Sequence, residues 1–235
     1  DFVLVDGIES GITKIPRLPV ADTTGRPDPK YFRVWKNITN DLAASERRSN
    51  RRPKPEVVWR KAEDALLQLA GEYEKQFNAI QEASDLALKA PPVMILVCDN
   101  TNIAQLFFEN ISGQTEVEDA DIESDDADEE QEEESSSKTK KPKKRIVYGT
   151  GKAFPHLFQN DKGRIRTIAI DSKRLEKVES EDPSATKDKA AKELRAIVNS
   201  VGRIGQPGQD VRCVVSVSML TEGWDANNVT HILGI

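Results

Sequence analysis

The chain has two cysteines, two histidines and no apolar run of bilayer-spanning length. The last absence excludes a transmembrane helix, which needs about 18 or more consecutive apolar residues. The first ten residues, DFVLVDGIES, lack a basic segment followed by a long apolar one, so they do not form a signal peptide. They also lack an initiator Met, which fits a piece of a longer protein. Cys98 and Cys213 sit in apolar, strand-like runs. They could be a redox pair or metal ligands. The plainer reading, two reduced core thiols in a cytosolic protein, is the one their surroundings favour. His156 follows Pro155 in a loop-like segment and His231 lies within a strand-like run, so neither belongs to a convincing catalytic constellation.

What is present is polar: 37% of residues are hydrophobic and 31% charged, with a mean hydropathy of -0.58. That balance is too polar for one compact domain throughout. The net charge of -6 argues against a uniformly basic nucleic-acid surface, although one acidic run dominates the average. Residues 1–30 are rich in Gly and Pro, and 1–55 is expected to be an extended connector with at most one edge strand. Arg47, Arg48, Arg51 and Arg52 within it read either as a phosphate-contacting patch or as a solvated loop.

From about Glu56 to Lys89 the pattern is helical. Val58, Ala62, Ala65, Leu66, Leu69, Tyr73, Phe77 and Ile80 recur at three- and four-residue spacing. Pro55 suits the first turn, Pro91-Pro92 stops the run, and Gly71 is a candidate break. Val93–Cys98 is a continuous apolar run suited to a strand buried on both faces. A polar turn follows, with Asn100, Thr101 and Asn102 as candidate caps for a helix over 103–111. Thr167–Ile170 and Cys213–Val217 are further strands, separated by a helix over 184–201, and Val229–Leu233 closes the series. Strands alternating with helices predict an α/β fold, a mainly parallel sheet with helices on both faces. Between about 115 and 145 an acidic tract runs into Lys138, Lys140, Lys141, Lys143, Lys144 and Arg145. It could be an acidic decoy or an import signal. A disordered insertion whose halves neutralise each other is the reading that its composition favours.

The last twenty residues, SVSMLTEGWDANNVTHILGI, place Gly223-x-Asp225 between two apolar strands. Open α/β sheets bind ligands beyond the carboxyl ends of their strands. Gly223 permits close backbone approach, Asp225 can accept bonds from ribose hydroxyls or an Arg, and Ser218 and Thr221 offer hydroxyls. Alone, the pattern is equally that of an ordinary turn with Asp as a helix cap.

The full string SMLTEGWDANNVTHILG resembles motif V of superfamily 2 helicases and translocases, and is most similar to the motor (Res) subunit of type III-like restriction enzymes. VMILVCDNTNIAQLF looks like the motif IV strand and helix that open the second RecA-like domain. RTIAIDSKRLEKVES resembles the next strand, and IESGITKIPRLPV the connector from the first domain. The resemblance implies a RecA-like helicase domain 2 over 91–235, preceded by a long helix over 56–90. It implies an ATP cleft lined by Glu222, Gly223 and Asp225. It also implies DNA-backbone contacts from Ser218, Thr221, Asn100 and Thr101, with Asp171 and Ser172 at a similar rim position.

The chain departs from the family in lacking a G-x-x-x-x-G-K-[ST] phosphate loop, a Mg²⁺-binding acidic motif, the arginine-rich motif VI and a nuclease motif. ATP and Mg²⁺ are therefore expected in the full-length protein and no cofactor or metal in this fragment, which alone should be inactive. The implied partners are DNA, the first RecA-like domain and nuclease domain of the same chain, and a modification methyltransferase subunit. No membrane partner is expected, and the implied location is a prokaryotic cytoplasm. The alternative from another class is a non-catalytic α/β binding module. A methyltransferase-like enzyme is disfavoured because no glycine-rich loop follows the first strand.

Overall fold

The computed structural model describes residues 6, 10, 33–49, 51–82, 90–119, 143–171, 185–217 and 228–235. The chain divides into two compact units, Asp1–Ala65 and Leu66–Ile235. The boundary falls inside one continuous helix, α2 (Pro55–Glu82).

In the first unit, helix α1 (Val34–Asn40) buries Val34 and Ile38, which lie one turn apart on one face. A 3₁₀ turn at Ala44–Glu46 follows, where the Ala43 N–H donates to Glu46 Oε2 at 3.0 Å. These elements correct the expectation of an extended connector over 33–46. The prolines that suggested it stand outside α1, and the four-residue Val34/Ile38 spacing within it is helical. Helix α2 starts at Pro55 as expected, because a first-turn residue needs no N–H partner. It runs without interruption through Gly71, where a break was expected. Nothing lies within 4 Å of the position a Gly71 side chain would occupy. Gly71 therefore weakens the helix, by about 1 kcal/mol relative to Ala, without ending it. Residues 83–89, the expected last part of this helix, lie outside the described residues. Val58, Ala62, Ala65, Leu66 and Tyr73 of the apolar stripe are buried, and Leu69, Phe77 and Ile80 are less so.

The second unit is built on β1 (Val93–Cys98), β4 (Thr167–Asp171), β5 (Cys213–Val217) and β6 (Val229–Gly234), all parallel, in the order β4-β5-β1-β6. Successive side chains alternate between faces. One face carries Val93, Ile95, Ile168, Ile170 and Val214, packed with Val198 and Val201 at the end of helix α5 (Ala185–Asn199). The other carries Met94, Leu96, Cys98, Cys213 and Val215, all buried. Helix α3 (Thr101–Ser112) buries Ile103, Ala104, Phe107 and Ile111. The β1–α3–β4 and β4–α5–β5 crossovers run in opposite directions along the sheet. Right-handed connections therefore put α3 and α5 on opposite faces. The α/β fold with helices on both faces, as expected of a RecA-like domain, is what the chain adopts. Among the described residues, no helix is long and apolar enough to cross a membrane.

A second, two-stranded ribbon pairs β2 (Gln114–Asp119) antiparallel with β3 (Lys143–Tyr148). The ends of the charged insertion, expected to be disordered from about 115 to 145, are thus strands. The acidic strand lies in register with the basic one: Val117 opposite Arg145, Glu118 opposite Lys144, Asp119 opposite Lys143. Residues 120–142 lie outside the described residues.

The ribbon is tied to the sheet through the end of α3. Gly113 takes a left-handed conformation (φ 69°) and its N–H donates to Glu109 O at 2.9 Å. The Gly149 N–H donates to Gly113 O (2.7 Å), and the Lys152 and Asn160 N–H groups donate to Asn110 O (2.6 Å) and Ser112 O (2.8 Å). Asn160 is fully buried. Its Oδ1 accepts from the N–H groups of Arg166 (2.8 Å) and Thr167 (2.9 Å), and its Nδ2 donates to Thr167 O (2.9 Å) and Gln114 Oε1 (3.0 Å). One side chain therefore joins the root of β2 to the start of β4, through a helical turn α4 (Pro155–Phe158) and the loop after it.

Candidate functional site

The register aligns the carboxyl ends of three adjacent strands. Cys98 of β1 and Asp171 of β4 both pair with Val217 of β5. Neighbouring strands lie about 4.8 Å apart, so the segments leaving β1, β4 and β5 start side by side on one rim. Three of the expected site segments begin here: Asn100-Thr101, Asp171-Ser172 and the run from Ser218. Ser172, Ser218, Thr221, Glu222, Gly223 and Asp225 themselves lie outside the described residues. The strands expected to flank Gly223-x-Asp225 are present as β5 and β6. Their near ends are on opposite rims, since Val217 pairs with Cys98 and Val229 pairs with Val93.

Asn100 has a defined local job. It is the N-cap of α3, with extended backbone (φ -154°, ψ 166°), and its Oδ1 accepts from the N–H groups of Asn102 (3.1 Å) and Ile103 (3.2 Å). Its Nδ2 donates to Asp99 Oδ2 at 3.2 Å. The helix N–H groups that could receive a phosphate are therefore already engaged. Thr101, on the exposed first turn, is the better placed of the two for a backbone contact. Asn100→Ala should destabilise the protein by about 1 kcal/mol in urea unfolding, with Asn100→Asp close to wild type because a carboxylate also caps. Equal stability of all three proteins would show that the cap carries no weight.

Asp99 is exposed, and its N–H donates to Ile235 O at 2.7 Å while the Ile235 N–H donates to Val97 O at 2.8 Å. Cys98 is buried beside it; burial, with Asp99 adding to the effect, pushes its thiol up to about 12. Burial raises the Cys213 thiol further, and both cysteines are free. Neither is a thiolate nucleophile at neutral pH, and the reading of both as reduced core residues holds.

Both histidines lie away from this rim. His231, opposite Met94, packs its ring edge-on to Tyr73 (5.7 Å), its Nδ1 is 2.8 Å from Thr230 Oγ1, and burial lowers its pKa. His156 is in α4, with Nε2 2.6 Å from Glu74 Oε1.

Residues to which the sequence assigned no role at a site hold the opposite rim. Tyr73 is fully buried, donates its hydroxyl to Pro92 O (2.7 Å) and packs on Phe158 (5.0 Å). The Arg212 guanidinium lies 4.4 Å over the Phe77 ring and donates to Leu157 O at 3.1 Å; burial lowers its pKa. Asn228, just before β6, donates from Nδ2 to Pro91 O (2.6 Å), and its backbone O accepts from the Val93 N–H (2.8 Å). Gly202 (φ 77°) makes room for that side chain, since a Cβ at 202 would come within 2.4 Å of Asn228 Nδ2. The signal for Asn228 was its place between a polar loop and a strand. For Tyr73 and Arg212, spacing along the chain carries no trace of partners that distant.

Among the described residues no group of three or more His, Cys, Asp or Glu could hold a metal ion. The helix that follows β1 is opened by its own Asn cap and has no glycine-rich cradle. The geometry defines an α/β protein in which three adjacent parallel strands end at a common level. No protein-family model, curated protein or solved structure matches the chain.

Proposed function

We propose that the chain is part of a superfamily 2 DNA translocase or helicase motor, of the kind found in the Res subunit of type III-like restriction enzymes. In this reading its sheet is the second motor domain. The observation that carries the proposal is the common level at which β1, β4 and β5 end, because that rim is where the motif V-like run begins. Asp225 and Gly223 with Glu222 form the chain's side of the ATP cleft, and Ser218 and Thr221 with Thr101 follow the DNA backbone. Asp171 and Ser172 belong to the same rim. ATP and Mg²⁺ are bound with the other motor domain, which brings the phosphate loop, and no step of hydrolysis is assigned to residues of this chain. DNA, a nuclease domain and a modification methyltransferase are the partners, in a prokaryotic cytoplasm.

The test uses the complete protein. DNA-stimulated ATP turnover should be lost in Asp225→Ala and in Gly223→Val, with DNA-independent folding unchanged by circular dichroism. Full turnover in both variants would refute the site assignment. The 235-residue chain alone should bind ATP weakly or not at all in calorimetry; tight binding would also contradict a half-site. A second reading, a non-catalytic α/β binding module, draws support from the Asn100 cap, which already occupies the helix N–H groups that an anion would use.

A further inference from the structure

We infer that the arginine turn at 47–53 in the first unit is a contact for a nucleic-acid phosphate backbone. This surface lies outside the sheet rim and does not rest on the motor reading. Residues 47–54, RRSNRRPK, carry five cations and no carboxylate. The backbone folds them together. The Arg51 N–H donates to Arg48 O (2.9 Å), the Arg48 N–H donates to Arg52 O (2.7 Å), and Arg47 bridges antiparallel to Pro53. A four-residue turn brings its first and last Cα atoms within about 7 Å, so Arg48 and Arg51 stand side by side. Arg48, Arg51 and Arg52 are all exposed.

Arg51 adopts φ +63°, the left-handed region that favours glycine or asparagine. A strained cation at a turn tip, where glycine would fit without strain, points to use of its charge. Arg47 braces the turn, donating to Arg51 O and Leu42 O at 3.4 Å each. Glu46, next in the chain, is directed elsewhere: it accepts from the Ala43 N–H (3.0 Å) and pairs with Arg60 and with Lys61 (3.7 Å). Its carboxyl is held below the usual range chiefly by the Ala43 N–H.

Over 33–65 the chain has nine Lys and Arg against five Asp and Glu, although its net charge is -6. The local field therefore has the opposite sign from the whole, and steers a polyanion to this unit. The turn itself offers Ser49 and cations but no exposed apolar anchor of the kind a protein partner needs. Guanidinium forks match phosphate oxygens, and a nucleic-acid backbone needs no apolar contact.

The experiment measures fluorescence anisotropy of a labelled duplex of about 25 base pairs, a single strand of equal length, and a polyglutamate competitor. The 235-residue chain is titrated between about 50 and 200 mM salt. Each lost duplex phosphate contact lowers the salt slope by about 0.9. Arg48→Ala with Arg51→Ala should thus reduce the affinity change across that range by about twelvefold. Arg48→Lys with Arg51→Lys should keep most of the slope. Arg51→Gly should raise the melting temperature while lowering the slope by about one contact, a combination that a structural role alone does not produce. An unchanged slope in the double Ala variant overturns the inference, as does polyglutamate displacing the duplex at equal charge concentration. Asp225→Ala in the same assay should leave the turn's share of the slope intact, so failure of the motor reading is seen separately.

Discussion

Asn160→Ala is expected to destabilise the protein by about 3 kcal/mol or more, and to lower its melting temperature by roughly 6–12 °C. The side chain is completely buried and makes four hydrogen bonds, two accepted and two donated. Truncation strands the N–H groups of Arg166 and Thr167 together with Thr167 O, at the first residue of β4. Each buried polar group left without a partner costs about 1–3 kcal/mol. The loss should be seen as a lower urea midpoint at unchanged m-value. Asn160→Asp is the sharper comparison, because it has the same shape and keeps the acceptor. It turns an oxygen toward Thr167 O and Gln114 Oε1, and should be nearly as damaging as Ala. If the Asn160→Asp variant behaved like wild type, the donor half of the network would carry no energy. Because Gln114 begins β2, the variants should also loosen the ribbon, detectable as faster amide exchange across Glu116–Ile146.

Gly113→Ala should be comparably severe for an unrelated reason. Its φ of 69° costs a side-chain-bearing residue about 1–2 kcal/mol. A Cβ there would also lie 2.2 Å from Gly149 O and 2.9 Å from Gly151 N. Both are backbone atoms, and the Gly149 N–H is bound to Gly113 O, so the neighbour cannot swing aside. Relief requires moving the strand end of the ribbon away from α3, for a total of about 3 kcal/mol or more. Gly71→Ala supplies the control. That glycine is helical with nothing within 4 Å, and its replacement should stabilise by about 0.5–1 kcal/mol. Similar thermal shifts for the two substitutions would remove the steric argument for Gly113.

The sheet was legible because each of its strands is marked locally. Val93–Cys98 is apolar at every position, and a strand with helices on both faces needs that. A cap among Asn100, Thr101 and Asn102 was readable because the helix that follows has a clear apolar face, and the structure selects Asn100. The ribbon was missed for the opposite reason. Gln114–Asp119 has little strand propensity, and its pairing depends on a basic strand more than twenty residues further along, which no single-segment pattern shows. The prolines around α1 masked a short helix, and Gly71 was given more weight than one helix-weakening residue warrants. At the site, sequence pointed to the carboxyl ends of the strands through the polar residues that follow them. That β1, β4 and β5 end level is a property of register, which depends on pairs far apart in the chain, such as Cys98 with Val217. Asn160 was invisible for a related reason: an asparagine in a loop looks the same whether it satisfies water or four buried backbone and side-chain groups.

The strand order has a consequence for how the protein is made. β1 is hydrogen-bonded to β5 and β6, and β4 to β5. During synthesis from the amino terminus, β1 and β4 therefore emerge with no partner in this sheet until Cys213–Val217 follows. Helix α3 and the ribbon can form from neighbouring residues meanwhile, since they need no strand of the sheet. Arrival of β5 then joins both waiting strands at once, with only β6 left to add at the β1 edge, and assembly of the sheet is expected to be late and abrupt.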